Sequence, residues 1–382
     1  MNKKQLPEGW RMVKFGEIAK HISKRVEPGK TDLEIYVGLE HLDPDSLRIK
    51  RHGVPSDVAG QKLLVQKGQI IFGKRRAYQR KLGIADWDCI CSAHAMVLEA
   101  NPETVLPDFL PFFMQSDVFM DRAVAISEGS LSPTIKWKKL AGQEFSLPPK
   151  IEQYKLLKLF KKSRNTFELA LDNLDSAKIH RRVMRRILFE SHIKKYGCIV
   201  IEDFCTKITD GTHDTPQTKE TGIPLVTSKN LVDGTISLND IYCISEKDAK
   251  EINRRSKVDV GDVLFAMIGK IGSPVVVNET HGDFCIKNIA LFKLNGNIEK
   301  ATWLSNYLDS SIFDKEILKN QSGNAQKFLP LNFLRKIKIP FFNSDSHSLV
   351  EAINHMNDVV YECEKRVSLI QLLTKSLYKN CL

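Results

Sequence analysis

The chain has 382 residues, of which 42% are hydrophobic and 27% are charged, a balance typical of folded globular proteins. This length is enough for two or three domains that each bury a core. A formal net charge of +11 at pH 7 indicates a polyanionic partner, with nucleic acid as the first candidate, although many basic proteins bind none. No run approaches 18 apolar residues, and no apolar signal segment follows the N-terminus, so we expect a soluble protein that is not exported.

The eight cysteines follow no Cys/His spacing that is typical of zinc sites. Several of them, such as Cys198, lie within apolar runs, where a buried free thiol is the usual role. This cysteine usage favours a reducing cytoplasm, and we expect no metal site and no membrane association.

The first part of the chain is predicted to form a compact β-rich segment. Strands are predicted over residues 36–42, 84–91 and 93–99, and residues 67–73 are predicted to form a turn followed by an apolar strand. A helix over 108–126 and a loop over 128–134 follow. Residues 74–81 (KRRAYQRK) contain five Lys or Arg in eight positions, which excludes a buried strand.

A long helix is predicted over residues 150–192, because neither Pro nor Gly occurs between Pro149 and Gly197. Apolar or small residues recur along it at alternating steps of four and three, with polar interruptions at Ser163 and Arg181. Such a seam favours packing against a partner helix. Its large apolar members are Leu156, Phe160, Phe167, Leu174, Met184 and Leu188.

The partner seam lies 193 positions further along the same chain. It comprises Leu349, Ile353, Met356, Val360, Val367, Ile370 and Leu377. The same offset relates the strand-like residues Phe72 and Phe265, and residues 337–340 before the second long helix mirror residues 145–148 before the first. One offset that fits strand, loop and helix indicates an internal duplication.

The predicted fold class is therefore α+β, with two β-rich domains separated by two long helices and an approximate internal two-fold repeat. The connections before and after the second domain are short, which favours an antiparallel coiled coil. A helix of about 40 residues would be about 60 Å long. Two domains held apart on a basic protein suggest two separated contacts on one long polyanion.

Several short stretches occur in a characteristic order, some of them in both halves of the chain. These are residues 6–10 (LPEGW), 68–76 (GQIIFGKRR), 149–154 (PKIEQY), 209–216 (TDGTHDTP) and 261–265 (GDVLF). By the order and duplication of these stretches, the sequence resembles the specificity subunits of type I restriction-modification systems, the HsdS family, over essentially its whole length. The second copy departs at residues 346–349 (SHSL), which lack the Glu-Gln pair of Glu152 and Gln153.

The resemblance implies a target recognition domain at 1–149, a spacer helix at 150–192, a second recognition domain at 193–345 and a second spacer helix at 346–382. It implies double-stranded DNA as ligand, recognised as a split site with an unread spacer. It also implies two modification (methyltransferase) subunits and restriction subunits as partners, directing N6-methylation of adenine and DNA cleavage. S-adenosylmethionine, ATP and Mg²⁺ are then expected on those partners, with no cofactor bound by this chain.

The sequence contains no methyltransferase motif of the Asn/Asp-Pro-Pro-Tyr/Phe type, no phosphate-binding P-loop and no Gly-x-Gly-x-x-Gly stretch. His213 with Asp210 and Asp214 could form a metal or acid–base cluster, but a DNA-facing or turn-stabilising loop is the preferred interpretation. We therefore expect a non-catalytic subunit. A protein-binding coiled-coil scaffold and a stand-alone DNA-binding protein are the alternatives.

In the first domain the candidate DNA contacts lie in the basic run and in the loop that follows the short helix. Arg and Lys neutralise phosphates, Arg also binds guanine, and Tyr and Gln extend towards bases. A solvated charged hairpin and a simple turn are the alternatives for the two segments. The candidates are Lys74, Arg75, Arg76, Tyr78, Gln79, Arg80, Lys81, Ser130, Ser132, Thr134 and Lys136.

In the second domain the candidates are polar loop residues, and structural turn roles are an equal alternative for any one of them. Asn and Gln suit adenine recognition. The set is Thr212, His213, Thr215, Ser228, Lys229, Asn230, Lys270, Gln321, Asn324 and Gln326. A further basic run, residues 178–186, has three interpretations: charge complementarity with a helix C-terminus, phosphate contact, or docking of an acidic partner.

Overall fold

The computed structural model describes residues 6–232, 234–269, 271–320 and 328–381. The chain divides into two compact units. Unit 1 comprises Met1–Leu171 and Arg366–Leu382, and unit 2 comprises Asp172–Lys365. Each long helix is divided between the two units. The domain boundaries predicted from the sequence instead assign each helix to a separate segment. None of the helices in the described ranges is apolar over a length that could cross a membrane.

Unit 1 begins with ten short strands and four short helices. The strands are β1 (Arg11–Lys14), β2 (Ala19–Ile22), β3 (Arg25–Val26), β4 (Tyr36–Val37), β5 (Lys62–Val65), β6 (Ile70–Phe72), β7 (Leu82–Ile84), β8 (Cys89–Cys91), β9 (Met96–Ala100) and β10 (Glu144–Leu147). The helices are α1 (Phe15–Ile18), α2 (Leu110–Gln115), α3 (Asp117–Ala125) and α4 (Trp137–Ala141). The first long helix, α5 (Lys150–Tyr196), follows.

Unit 2 contains eleven strands in its described part. They are β11 (Cys198–Val200), β12 (Lys207–Asp210), β13 (Ile223–Val226), β14 (Leu231–Val232), β15 (Thr235–Ile236), β16 (Tyr242–Ile244), β17 (Val263–Ala266), β18 (Gly272–Val276), β19 (Cys285–Ile286), β20 (Ile289–Lys293) and β21 (Lys338–Pro340). Its helices are α6 (Ile201–Phe204), α7 (Glu246–Ser256), α8 (Ile298–Leu308), α9 (Ser311–Asn320) and α10 (Leu331–Lys336), followed by the second long helix, α11 (Asp345–Cys381).

The two units share one sheet plan. Unit 1 has an antiparallel sheet in the order β2-β9-β6-β7, and unit 2 has the order β12-β20-β17-β18. Beside it, each unit has a sheet with one parallel pair, β4 with β8 in unit 1 and β13 with β19 in unit 2. A strand near the start of each unit also pairs with the strand before a long helix, β1 with β10 and β11 with β21. The protein is thus mixed α/β with open sheets, built twice from the same plan.

Aromatic side chains fill the core of unit 1. Phe15, Phe119 and Phe145 are buried, with ring centroids 5.1–5.9 Å apart. Phe160 of α5 is fully buried, and its ring meets that of Tyr378 of α11 at 4.8 Å. The start of α5 and the end of α11 are therefore part of the core of this unit.

In unit 2 the corresponding core uses the other ends of the same helices. Phe189 of α5 is fully buried against Trp303 at 5.0 Å and Tyr307 at 5.5 Å. Leu349 and Ile353 of α11 pack into the same cluster. Burying one fully enclosed aromatic side chain contributes about 1.5–3 kcal/mol, so both junctions are strongly stabilised.

Buried polar contacts set the start of each long helix. The buried Gln153 side chain donates to the carbonyl of Pro148 (2.9 Å) and accepts from the amide of Leu106 (2.8 Å). In the second copy, which lacks Glu-Gln, the Ser346 hydroxyl accepts from the Asn343 amide (3.0 Å) and the Asn343 side chain accepts from the Asp345 amide (3.0 Å). The first long helix is therefore tied at its start to the Pro148 carbonyl and to Leu106, whereas the second begins with local side-chain contacts of Asn343 and Ser346.

Every seam position from Leu156 to Leu188 and from Leu349 to Cys381 is buried or half-buried. Within unit 1, the polar seam residue Ser163 lies 2.9 Å from the hydroxyl of Thr374. Within unit 2, the polar seam residue Arg181 donates to Asn357 (3.4 Å). In each unit residue numbers fall along α11 as they rise along α5, so the paired segments are antiparallel there. The interruptions of the seam face polar partners.

Four predicted elements differ from the structure. Of the strand predicted over residues 36–42, only β4 (Tyr36–Val37) is present, because Leu39–His41 form a 3₁₀ turn. Residues 84–91 form two strands, β7 and β8, because residues 85–88 turn between them and Asp88 accepts a hydrogen bond from the amide of Lys67 (2.8 Å). The helix over 108–126 is broken at Ser116, whose hydroxyl caps α3. Helix α5 continues to Tyr196 because Gly197, with φ +76°, is the first residue suited to ending it.

Candidate DNA interface

The structure brings together the two candidate segments of unit 1. The amide of Arg76 donates to the carbonyl of Pro133 (2.7 Å), and the amide of Ile135 donates to that of Lys74 (2.9 Å). Arg75 and Arg76 both donate to the Ser132 hydroxyl, at 3.1 and 3.2 Å. The basic run and the serine loop therefore form one surface, although more than fifty residues separate them in sequence.

The backbone of the basic run determines which side chains point outward. Arg76 and Arg80 both adopt left-handed φ values, +57° and +53°, on either side of a single 3₁₀ turn. Ala77 is buried and anchors the turn, while Tyr78 is 55% exposed. An exposed aromatic next to an exposed Arg76 is an arrangement suited to contact with bases and phosphates.

The last two basic residues of the run are already bound within unit 1. Arg80 pairs with Asp45 (2.5 Å) and Asp117 (3.1 Å), and it also donates to the carbonyl of Gln115. Lys81 donates to the carbonyl of Leu39 (2.7 Å). Both positively charged groups are engaged in contacts within unit 1. A structural role is therefore favoured for both residues over the phosphate contact predicted from the sequence.

The ion pairs of Asp45 make the stability of unit 1 depend on pH. Its burial would raise the pKa of the carboxyl group, but hydrogen bonds and charges from Arg80 and Lys375 outweigh burial and lower the pKa. A lowered folded-state pKa contributes stability that is present above the unfolded pKa of about 4 and is lost as pH falls through the folded value.

Asp45→Asn is therefore expected to lower the stability of unit 1 by about 1 kcal/mol at pH 7 and to cost progressively less below about pH 4. Asn tolerates the left-handed backbone of this position, φ +56°, so the change removes charge and little else. Hydrogen exchange at pH 7 and pH 3 measures the difference. Asp43→Asn, which removes a more exposed pair with Arg51, is the control with little expected effect. A pH-independent cost would contradict the assignment.

The remaining candidates of unit 1 lie on the serine loop. Ser130 is exposed, and Thr134 donates from its hydroxyl to the carbonyl of Ser132 (3.1 Å). Lys136 pairs with Glu128 (3.1 Å), which Lys139 also contacts. Half-buried Gln79 lies within the 3₁₀ turn. Ser130 and Ser132 are thus presented by a loop that backbone contacts hold in place.

In unit 2, Gly211 positions the loop that carries Thr212, His213 and Thr215. A Cβ at Gly211 would lie 2.2 Å from the carbonyl oxygen of Ile286, so the backbones approach as closely as only glycine permits. The amide of Thr212 donates to that same carbonyl (3.0 Å). Lys287 reaches the Thr215 hydroxyl, which gives the loop a basic neighbour that the sequence analysis did not include.

His213 is held by two oxygen atoms. One ring nitrogen lies 2.9 Å from Asp210, and the other lies 2.8 Å from the side-chain oxygen of Asn288. Asp210 also pairs with Arg255 (3.0 Å), so its charge is balanced within the unit. No group of three metal-binding side chains occurs among the described residues. These contacts favour a loop held in place by hydrogen bonds and ion pairs over a metal or acid–base site.

In the segment from Ser228 to Asn230, Asn230 and Lys229 have different roles. Asn230 is 2% exposed, and its side chain accepts from the amide and hydroxyl of Thr227 and donates to the carbonyl of Ser237. Its amide is therefore committed to the turn. Lys229 lies over the ring of Tyr242 at 4.7 Å and remains exposed, as a DNA contact requires. Lys270, Gln321, Asn324 and Gln326 lie outside the described residues.

Comparison with known proteins gives results in sequence and in fold. No protein-family model matches the chain. The type I restriction enzyme EcoDI specificity subunit of Escherichia coli is 26% identical over 155 residues, which are 40% of this chain and 34% of that protein. The matched segment thus spans about a third of the curated relative.

The solved structures match over nearly the whole chain. A structure described under complex assembly and conformational transition of the type I R-M system has a TM-score of 0.60 and 19% identity, covering 99% of this chain and 100% of that one. The type I restriction-modification S subunit of M. genitalium has a TM-score of 0.56 and 14% identity, covering 100% and 98%. This chain has the fold of a type I specificity subunit. The resemblance inferred from its sequence motifs is confirmed.

Within this specificity-subunit fold, the basic run at residues 178–186 is largely paired inside unit 2. Lys178 pairs with Glu364 (2.8 Å), and Arg185, only 4% exposed, contacts Asp309 and Asn357. Because α5 continues to Tyr196, the run lies well before the helix end, which removes the helix-dipole interpretation. Packing between helices explains the run better than contact with phosphates.

Several basic residues that lie close to Lys74 in this fold were not among the predicted site residues. Arg25 and His21 come from the first strands, and His94 comes from the turn between β8 and β9. Arg25 and His21 adjoin Lys24 and Lys20 in a stretch less dense in Lys and Arg than residues 74–81, and His94 has no charged neighbour in the sequence, so local pattern marks them only weakly. Only the sheet pairing brings these side chains to the end of β6.

Proposed function

We propose that this chain is the DNA-specificity subunit of a type I restriction-modification complex. Each unit would recognise one half of a split DNA site, and partner subunits would methylate adenine and cleave DNA. The observation that carries the proposal is the specificity-subunit fold along nearly the whole chain, joined to sequence similarity with a curated specificity subunit.

The charge distribution of unit 1 supports DNA as the ligand. The net charge is +11, and the exposed part of the basic run is presented beside the Ser132 hydroxyl. Phosphates are bound by Arg, Lys and hydroxyl groups, and base edges by Arg and Gln side chains. Unit 2 offers a different set of side chains on the same sheet plan, which suits recognition of a different sequence.

The two long helices would form an antiparallel coiled coil that separates the recognition domains and sets the length of the unread spacer. The polar pairs Ser163–Thr374 and Arg181–Asn357 support this arrangement, because they favour one alignment of the helices. Two modification subunits and the restriction subunits would then supply S-adenosylmethionine, ATP and Mg²⁺. The proposal places the assembly in the cytoplasm with the DNA it modifies.

Exchange of one recognition domain tests the proposal. When residues 1–145 are replaced by the corresponding domain of another specificity subunit, we expect one half of the methylated site to change and the other half to remain. The reason is that each unit has its own core and its own polar loops. Sequencing of N6-methyladenine in cells that also contain the modification subunit gives the result.

The reciprocal exchange of residues 197–340 is the matched control, and it should change the opposite half-site. If either exchange alters both halves, the model of two independent readers is wrong. Methylation by the purified chain alone would indicate an enzyme with its own active site. Absence of salt-sensitive DNA binding by the chain with its modification subunits would favour a protein-binding scaffold.

A further inference from the structure

Unit 1 gathers cationic side chains from separate segments around Lys74. Arg75 lies 3.4 Å from the imidazole of His94 (Nη1 to Nε2). Lys74 and Lys62 are close enough for their charges to lower the pKa of the same imidazole, and the charge of Arg25 lowers the pKa of Lys74. Arg25 and Lys62 lie on the adjacent strands β3 and β5, which pair directly. Strand pairing therefore brings the residues of the cluster together.

Carboxylates do not balance the centre of this cluster. Among the residues that the structure describes in unit 1, Arg80, Lys136, Lys139 and Lys161 all form ion pairs with Asp or Glu. Lys74, Arg75 and His94 form none within 4.0 Å in the same part of the chain; Arg75 contacts Ser132 and His94 instead. Like charges held together without counter-charge are unfavourable unless an anion binds.

The titration of the cluster agrees with this geometry. Burial, followed by the charges of Arg75, Lys74 and Lys62, lowers the pKa of His94. Burial, followed by the charge of Arg25, lowers the pKa of Lys74.

The other titratable groups nearby are His21, whose pKa burial and Lys74 lower, and Cys91, whose pKa burial raises. Burial, followed by the charge of Glu40, raises the pKa of Tyr36, which hydrogen-bonds to Ser92 in the turn of His94. Shifts in these directions leave His21, Cys91 and Tyr36 neutral at pH 7. Among these groups the carboxylate is Glu40, which acts on Tyr36, and Lys74, Arg75 and His94 form no ion pair with it in the described part of unit 1.

We propose that Lys74, Arg75 and His94 bind a backbone phosphate of duplex DNA, and that His94 takes up a proton as the phosphate binds. The proposal rests on the proposed function and names a site within it. The phosphate supplies the missing counter-charge, which favours the imidazolium form. In the free protein His94 is largely neutral at pH 7. DNA binding therefore strengthens as pH falls from the bound pKa of His94 towards its lower free value.

The test uses the full chain with its modification subunits and a duplex that carries its mapped methylation site. Dissociation constants are measured at pH 8 and pH 6 at constant ionic strength. The unaltered complex is expected to bind about three- to tenfold more tightly at pH 6, which corresponds to a bound pKa raised by up to about one unit. H94Q is expected to remove this gain, so that its dissociation constants at pH 6 and pH 8 differ by less than about twofold. H52Q, in which an exposed histidine of unit 1 is replaced, should retain it.

The salt dependence of binding provides a second readout. K74M is expected to reduce the slope of log affinity against log salt by about 0.9, the value for one phosphate contact, whereas K74R should preserve the slope. K30M removes an exposed lysine paired with Glu27 and should also preserve it.

If H94Q keeps the pH dependence, or K74M keeps the salt slope, in a complex that still binds DNA, the phosphate site is wrong and the proposed function stands. A complex of the unaltered chain that binds no duplex DNA overturns both.

Discussion

Phe160→Ala is expected to lower the free energy of unfolding of unit 1 by about 3–5 kcal/mol. Phe160 is fully buried, and its ring lies 4.8–6.2 Å from those of Tyr378, Phe112 and Phe109. The substitution leaves a cavity at the point where both long helices join the domain core. Surrounding aromatic rings are rigid, so the site cannot collapse easily and the cost should be near the upper end.

Hydrogen exchange of peptides from residues 6–171 measures this loss without interference from unit 2. The neighbouring Leu159→Ala is the control, because Leu159 is 44% exposed and its truncation should change stability by about 0.5 kcal/mol or less. Equal losses for the two variants would show that Phe160 does not join the helix to the core.

Gly211→Ala is expected to distort the polar loop of unit 2 and to abolish recognition of one half-site. The added methyl carbon would lie 2.2 Å from the Ile286 carbonyl oxygen, a contact that the backbone must relieve by moving. That movement breaks the hydrogen bonds from the amides of Gly211 and Thr212 to Ile289 and Ile286 (2.9 and 3.0 Å). We expect a cost of about 1–3 kcal/mol in unit 2 and loss of methylation at the split site.

Gly29→Ala is the matched control, because a methyl group there would meet nothing within 4 Å. Methylation mapping in cells gives the functional result, and hydrogen exchange over residues 205–215 reports the loop. Retention of full methylation with an unprotected loop would show that this loop does not take part in recognition. Normal protection together with normal methylation would show that the close approach is relieved without consequence.

The duplication could be predicted because it is written in local patterns. The seam from Leu156 to Leu188 needs only helical periodicity to be recognised, and its repeat at Leu349 needs only a constant offset. The absence of Pro and Gly before Gly197 likewise predicts the helix, which ends at Tyr196. By contrast, residues 84–91 are apolar enough for one strand, and only the hydrogen bond of Asp88 to Lys67 reveals the turn within them.

The candidate interface was predicted in part. The sequence identifies Arg75, Arg76 and the serine loop by their composition, and the structure brings them together around Ser132. It cannot distinguish Arg76, which is exposed, from Arg80, whose partners Asp45 and Asp117 lie far away in the chain. Composition does not distinguish a charged side chain that is exposed to solvent from one that is held in an ion pair.

The sequence by itself determined that the chain is duplicated, that each copy carries a long helix, and that the protein is basic enough to suit a polyanion. These properties follow from periodicity, spacing and total charge, which need no knowledge of distant neighbours. Only the tertiary structure decided which charges remain unbalanced. Lys74 follows β6, His94 lies between β8 and β9, and Arg25 lies on β3. The pairing of β6 with β9, and of β5 with both β3 and β8, brings these side chains together. Electrostatic energy depends on distance in space and on burial, and a linear sequence contains neither.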